Sequence, residues 1–213
     1  MEHQTTDPNI NDSLTKTLAA SDLSSIANEL TELSVDALLG EGVLRDLPIV
    51  GSLVAIWKTG ATVRDALFVR KLTAFLAQMN EIPSEQRSRM LEVLQNESKS
   101  ENVGEKLLGL LDRIETSANS KFAGRAFRLF VDETITPEEF WRVAYIIERL
   151  PLHDFVAVKN WAGNTLGAVE HVRKHLYLSV GLGWFVMSAS NTGFQWQERL
   201  CTIIADHLLH DEE

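Results

Sequence analysis

Two histidines four residues apart form a pair whose spacing could bind a metal ion. His171 and His175 fall on one face of a predicted helix, and two imidazoles at that spacing can bind zinc. The residue after His171 is Val172, whereas zinc proteases carry a glutamate there as general base. Arg173 and Lys174 lie between the histidines, and their positive charges would oppose a cation. We therefore predict a solvated basic helix face without a bound metal.

The same basic cluster precedes a predicted β-hairpin, where a winged-helix domain carries its recognition helix. Arginine and lysine on such a helix contact phosphate groups or guanine. Glu170 adjoins the cluster, however, and the chain has a formal net charge of -10, which repels phosphate. Broad nucleic-acid binding is therefore disfavoured, and a winged-helix transcriptional regulator is kept as an alternative. The residues of this basic patch are His171, Arg173, Lys174 and His175.

Sequence patterns of a catalytic centre are missing from the chain. No nucleophile elbow, dinucleotide-binding loop or phosphate-binding loop is present. Cys201 falls on a predicted helix without neighbours that would activate its thiol, so we expect it to be buried. Residues 128–139 end like a calcium-binding loop, but aligning Glu139 with the last ligand places Arg128 and Phe130 at ligand positions. We predict that the protein is not an enzyme and binds no cofactor or metal, and no small-molecule substrate is evident.

An uncharged, mostly apolar stretch begins at Leu47 and reads LPIVGSLVAIW. A run of this length is typical of a buried core helix, which is the first interpretation. The alternative is a membrane-active segment over residues 47–68, whose basic residues would contact anionic lipid. Both interpretations require burial at rest, and the second also requires release through the acidic N-terminal helix or a partner. The residues that would contact a membrane or a partner are Ile49, Leu53, Ile56, Trp57, Lys58 and Arg64.

The negative charge is concentrated in the N-terminal part of the chain. Residues 1–46 contain nine acidic and two basic residues, so they carry a net -7 of the total -10. A single cysteine excludes an internal disulfide and fits a reducing compartment. No signal peptide is visible, and no window reaches the roughly 18 apolar residues of a spanning helix. We predict a cytoplasmic protein, peripheral to the inner membrane if residues 47–68 bind lipid.

Helical periodicity recurs along the chain, whereas strand periodicity occurs once. Apolar residues three and four apart predict about seven helices and at least roughly 60% helix. The stretches GWFVMSA and FQWQ flank a turn and predict a hairpin within residues 183–197. We predict a mainly α protein with a polar, partly disordered N-terminus (1–20), a multi-helix bundle (21–163) and a winged-helix-like helix–hairpin–helix element (164–213). The residues predicted to share one core are Phe75, Leu107, Leu111, Phe127, Phe140 and Ile147.

Two passages of the chain resemble a known group of proteins. They read LPIVGSLVAIWKTGATVRDALFVRKLTAFL and VGEKLLGLLDRIETSANSKFAGRAFRLFVDETITPEEFWRVAYIIERL. Together they are similar to small bacterial α-helical proteins with a C-terminal winged-helix-like hairpin, a group without an assigned activity. The resemblance covers roughly residues 45–155. It implies a bacterial, helical, cytoplasmic protein carried by mobile or defence-related loci, and it implies no catalytic or ligand residue.

These observations favour a non-enzymatic interaction protein of bacterial origin. Its helical or hairpin surfaces would bind another protein or a second copy, in the context of stress or phage defence. The first alternative is a membrane-active effector that uses residues 47–68 upon activation. The second alternative is the winged-helix regulator.

Overall fold

The fold is mainly helical, as the sequence predicts. Helix accounts for 79% of the described residues, and the strands among them form one two-stranded antiparallel hairpin. The chain divides into two compact units, residues 1–137 and 138–213, which we consider separately. The computed structural model describes residues 8–20, 23, 47–57, 62–97, 102–163, 171–187 and 192–209.

The first unit is all α in its described part. Three of its helices begin at side chains that cap them: Thr62 and Asp65 form a reciprocal capping box, and Asn102 and Thr116 accept a backbone N–H of the following turn. A 3₁₀ turn over Ala77–Met79 extends the third helix. The helices are α1 (Pro8–Ala20), α2 (Pro48–Trp57), α3 (Val63–Leu76), α4 (Ser84–Glu97), α5 (Val103–Arg113) and α6 (Ser117–Val131).

The second unit consists of helices and the hairpin. The glycine at position 181 has a φ of +80°, which lets the chain leave a helix and enter the first strand. Both strands lie within the predicted range 183–197. The elements are α7 (Pro137–Arg149), α8 (Leu152–Ala157) with a 3₁₀ extension (Val158–Gly163), α9 (His171–Ser179), β1 (Gly183–Met187), β2 (Thr192–Trp196) and α10 (Glu198–Thr202), which continues as a π-helix (Ile203–Leu208).

Helices α3 and α6 pack closely in the core of the first unit. The ring centroids of Phe75 and Phe127 lie 5.7 Å apart, and Phe130 packs edge-on against Phe127. Gly124 permits this approach, because a Cβ at that position would lie 2.6 Å from the carbonyl oxygen of Phe75. The backbones of the two helices therefore approach each other directly at this point.

The burial of the six predicted core residues is confirmed. All six side chains are fully buried. Phe75, Leu107, Leu111 and Phe127 belong to the first unit, whereas α7 carries the other two into the second unit. The last two are Phe140 and Ile147.

Helix α1 differs from the polar, partly disordered terminus predicted for residues 1–20. Its leucines, Leu14 and Leu18, are fully buried, and it packs against α2, α4 and α5. Asn11, Ser13 and Thr17 are buried beside them. The polar composition concealed this helix, because the hydroxyls of Ser13 and Thr17 bond neighbouring groups and can therefore be buried at little cost.

Truncation of Leu111 tests the packing of the first unit. Leu111 is fully buried on α5, so we expect Leu111→Ala to lower the free energy of unfolding by about 2–5 kcal/mol. Leu67→Ala is the control, since Leu67 is 53% exposed and its truncation should change stability by less than about 0.5 kcal/mol. Urea unfolding measures both values. An unchanged midpoint for Leu111→Ala would contradict this packing.

Candidate functional site

The apolar segment forms helix α2, which lies against α1. The side chains of Ile49, Val50 and Leu53 are buried. Among the described elements, α1 is the main neighbour of α2. The burial at rest that both interpretations of this segment require is therefore present at Ile49 and Leu53.

Polar contacts join α1 to α2 within this apolar surface. Thr17 Oγ1 accepts the backbone N–H of Ile49 at 3.0 Å and donates to the carbonyl oxygen of Ser13 at 2.8 Å. The hydroxyl oxygens of Ser13 and Ser52 lie 2.7 Å apart, and Ser52 also donates to the carbonyl oxygen of Pro48. The N-terminus of α2 is thus satisfied by a residue of another helix.

The other nominated residues of this segment are placed as follows. The side chains of Ile56 and Trp57, and the whole of Lys58, lie outside the described residues. Arg64 is exposed on α3, and its guanidinium donates to both carboxylate oxygens of Asp112, at 3.2 and 3.1 Å. Arg64 therefore links α3 to α5 in the resting protein.

Lys71 makes a second link between these two helices. Its ammonium donates to the carbonyl oxygens of Asp112 and Ile114, each at 2.9 Å, at the C-terminal end of α5. A cation is favourable there because the last carbonyls of a helix are unsatisfied and carry partial negative charge. Burial nevertheless lowers the pKa of Lys71, although Asp112 opposes that shift.

An open groove of about 930 Å³ lies beside these helices in the first unit. Leu53, Phe68 and Leu108 contribute apolar surface to it, and the charged groups around it include both Arg113 and Glu105. Charges of both signs give the groove no strong preference for an anion or a cation. It offers apolar surface rather than a set of reacting groups.

The nominated basic patch is partly neutralised. Arg173 Nε lies 3.0 Å from the carboxylate of Asp154, which is only 5% exposed. Lys174 is half-buried and His175 is exposed. The side chain of His171 lies outside the described residues. A buried carboxylate requires a cation beside it, so Arg173 has a structural partner within the second unit.

Tyr177 connects this ion pair to the hairpin. Its hydroxyl donates to the backbone carbonyl oxygen of Asp154 at 3.2 Å, and its ring lies 5.1 Å from that of Trp196 on β2. Burial, together with the charge of Asp154, raises the pKa of Tyr177. The contacts of Asp154 therefore hold α9 on α8, and Tyr177 joins α9 to the hairpin.

The hairpin exposes two consecutive aromatic side chains, Trp184 and Phe185, which point to opposite faces of β1; we call the outer face that carries Trp184 the aromatic patch. Their exposed fractions are 46% and 47%. The hairpin is predicted by the sequence, but these two residues are not among the predicted site residues. The sequence does contain a signal for the exposed tryptophan. Two consecutive aromatic residues on one strand point to opposite faces of the hairpin, so one of them must face away from the core.

The remaining sequence-based expectations concern catalysis and metal binding. Cys201 is buried, and burial raises the pKa of its thiol to about 12, so the thiolate does not form near neutral pH. Within the described ranges, no group of three or more His, Cys, Asp or Glu residues could hold a metal ion. In the same part of the chain, every helix is too short or too polar to cross a membrane.

Comparison of the chain with protein-family models, curated proteins and solved structures found no match. The resemblance to a group of bacterial proteins therefore stays a prediction.

Proposed function

We propose that this is a non-enzymatic interaction protein of bacterial origin that binds another protein through the aromatic patch. The observation that carries the proposal is the exposure of Trp184 on the outer face of a hairpin whose inner face already has its aromatic core. Aromatic side chains are the ones that most often dominate binding energy at protein interfaces.

The register of the hairpin explains why the patch is available. Phe185 pairs with Phe194, and Trp184 pairs with Gln195. Phe194 is buried and stacks edge-on against Trp196, at 5.0 Å between centroids. Trp184 lies on the opposite face, beside exposed Gln195. A hairpin with one packed face normally carries polar residues on the other, so an outward tryptophan suits a partner.

Charge favours a basic partner over a second copy. The chain carries a formal net charge of -10, so two copies repel each other, whereas a protein with a basic surface is attracted. We propose a partner of this kind in the cytoplasm. The link to stress or phage defence rests on the resemblance of the two quoted passages.

The winged-helix regulator has weaker support. A recognition helix needs free basic side chains, and Arg173 lies beside the buried carboxylate of Asp154. The acidic chain would also weaken its approach to DNA.

Trp184→Ala tests the leading proposal. A photo-crosslinking amino acid in place of Gln195, which is exposed opposite Trp184, first identifies the partner, and titration with the purified partner then measures the dissociation constant. We expect Trp184→Ala to raise this constant at least about tenfold, as for a central aromatic anchor. The constant of the wild-type complex should also rise with salt, because opposite charges attract the two proteins.

Two controls accompany this measurement. Leu67→Ala removes an equally exposed apolar side chain from the first unit and should leave the dissociation constant unchanged. Gln195→Ala alters the residue opposite Trp184 and should have a smaller effect than Trp184→Ala. Equal affinity of the wild type and Trp184→Ala would contradict the proposal, as would a partner-independent dimer that Trp184→Ala abolishes.

A membrane-active effector is the second candidate, favoured by helix α2. All ten of its residues are uncharged, and it buries apolar side chains mainly against one described helix. A lipid surface could accept the same side chains if α2 left α1.

Vesicle flotation tests this second candidate. We expect a fraction of the wild-type protein to float, since lipid would bind molecules in which α2 is free. Leu53→Asp should reduce that fraction, because a carboxylate on the inserted face opposes transfer into lipid. General unfolding would instead make the variant float more. Leu67→Asp, which adds the same charge at an exposed position, should behave as the wild type.

A further inference from the structure

We propose that α2 opens from the first unit as a separate element, while α1 stays in place, and that a polar lock controls this opening. The polar lock consists of the Thr17 bond to the Ile49 N–H and the contact between Ser13 and Ser52. The proposal deepens the membrane-active candidate and rests on it for what α2 would bind, but the opening itself is tested independently.

The lock supplies what the N-terminus of α2 lacks. Pro48 has no N–H, and the next amide, that of Ile49, has no partner within its own helix. Thr17 accepts this N–H from a position 32 residues away in sequence. Such a cap exists only while α2 lies on α1. Opening therefore breaks the cap and the Ser13–Ser52 contact together.

Helix α1 has contacts of its own that do not involve α2. Its C-terminal carbonyl at Ala19 accepts the hydroxyl of Ser88 on α4, at 3.1 Å. On α5, a Cβ at Gly104 would lie 2.2 Å from the carbonyl oxygen of Asn11, so the two helices approach as closely as a glycine allows. These contacts remain when α2 leaves.

Helix α2, in contrast, packs closely against one described helix, whereas α1 packs against three. Helix α2 has ten residues, which is too short for stability in isolation. Its burial depends mainly on α1 among the described elements. Elements with few neighbours open at a lower free energy than the core around them.

The opened state presents Ile49, Val50 and Leu53 on an uncharged helix. A neutral lipid surface is the occupant that this chemistry fits. Anionic lipid is less suitable, because the chain carries a net charge of -10 and Arg64 is already paired with Asp112.

A disulfide across the lock tests the opening directly. Because the hydroxyl oxygens of Ser13 and Ser52 lie 2.7 Å apart, cysteines at these positions lie within disulfide reach. In the double variant Ser13→Cys/Ser52→Cys, native-state hydrogen exchange by mass spectrometry measures the exchange rates of the backbone amides of residues 50–57. The amides of α6 are the internal reference. We expect oxidation to slow exchange in α2 at least about tenfold more than in α6, because the crosslink stabilises the folded unit as a whole but prevents the opening of α2 specifically.

Thr17→Val is the second variant, with Thr73→Val as its control. Thr17→Val removes the acceptor of the Ile49 N–H and should speed exchange in α2 about tenfold relative to α6. Thr73 is also a buried threonine, but its hydroxyl bonds Val69 within α3. Thr73→Val should therefore change the amide exchange rates of α2 and α6 by the same factor. If α2 and α6 exchange with equal protection in every protein, and oxidation has no selective effect, α2 is part of the cooperative core and the proposal is overturned.

Vesicle binding separates this inference from the membrane-active function. The oxidised double-cysteine protein should not float with phosphatidylcholine vesicles, whereas the reduced protein and Thr17→Val should, and added anionic lipid should not increase the floating fraction. Selective opening of α2 without flotation would support the lock and contradict the membrane-active function. Equal flotation of oxidised and reduced protein would show that lipid binds elsewhere and would overturn the role of α2.

Discussion

Helix α1 makes the contacts that join α2, α4 and α5 in the described part of the first unit. It packs against α2, α4 and α5, and its leucines are fully buried. Two polar residues on its surface contribute to this packing. Ser13 and Thr17 bond groups of α2 that would otherwise lose their hydrogen bonds to water and gain none in exchange. Polar contacts of this kind fix which residues of two apolar surfaces meet, since apolar packing alone is not directional.

The two units share one physical device, a buried polar contact that holds a surface element in place. In the first unit, Thr17 bonds α2. In the second unit, Asp154 lies beside Arg173, and its backbone carbonyl oxygen accepts a hydrogen bond from the Tyr177 hydroxyl. These contacts hold α9 in place, and the Tyr177 ring contacts Trp196 of the hairpin. The consequence differs: α2 has its apolar side chains covered, whereas the hairpin leaves its aromatic patch exposed. A binding role for either surface needs no reactive group.

Helical and strand elements could be predicted from the sequence where the apolar period is strong. The stripes of α5, α6 and α7 and the alternation around the hairpin correspond to elements of the structure. Helix α1 was missed because Asn11, Ser13 and Thr17 interrupt its stripe, and the burial of Ser13 and Thr17 becomes favourable only through their bonds to α2. The ion pair of Arg173 with Asp154 could not be predicted from local sequence either, because it joins residues of separate helices. The sequence predicts Trp184 as a strand residue, but its exposure depends on which face of the hairpin packs against the rest of the second unit.

The unfolding free energy of Gly104→Ala tests the central position of α1 most directly, because two effects oppose each other there. Alanine is favoured over glycine in a helix by up to about 1 kcal/mol, so a loosely attached α1 would allow the substitution to stabilise the protein. In the packing described above, the new Cβ would lie 2.2 Å from the Asn11 carbonyl oxygen and 2.8 Å from Thr15 Oγ1. We therefore predict a lower urea midpoint and a loss of about 1–3 kcal/mol. An unchanged or higher midpoint would contradict the account.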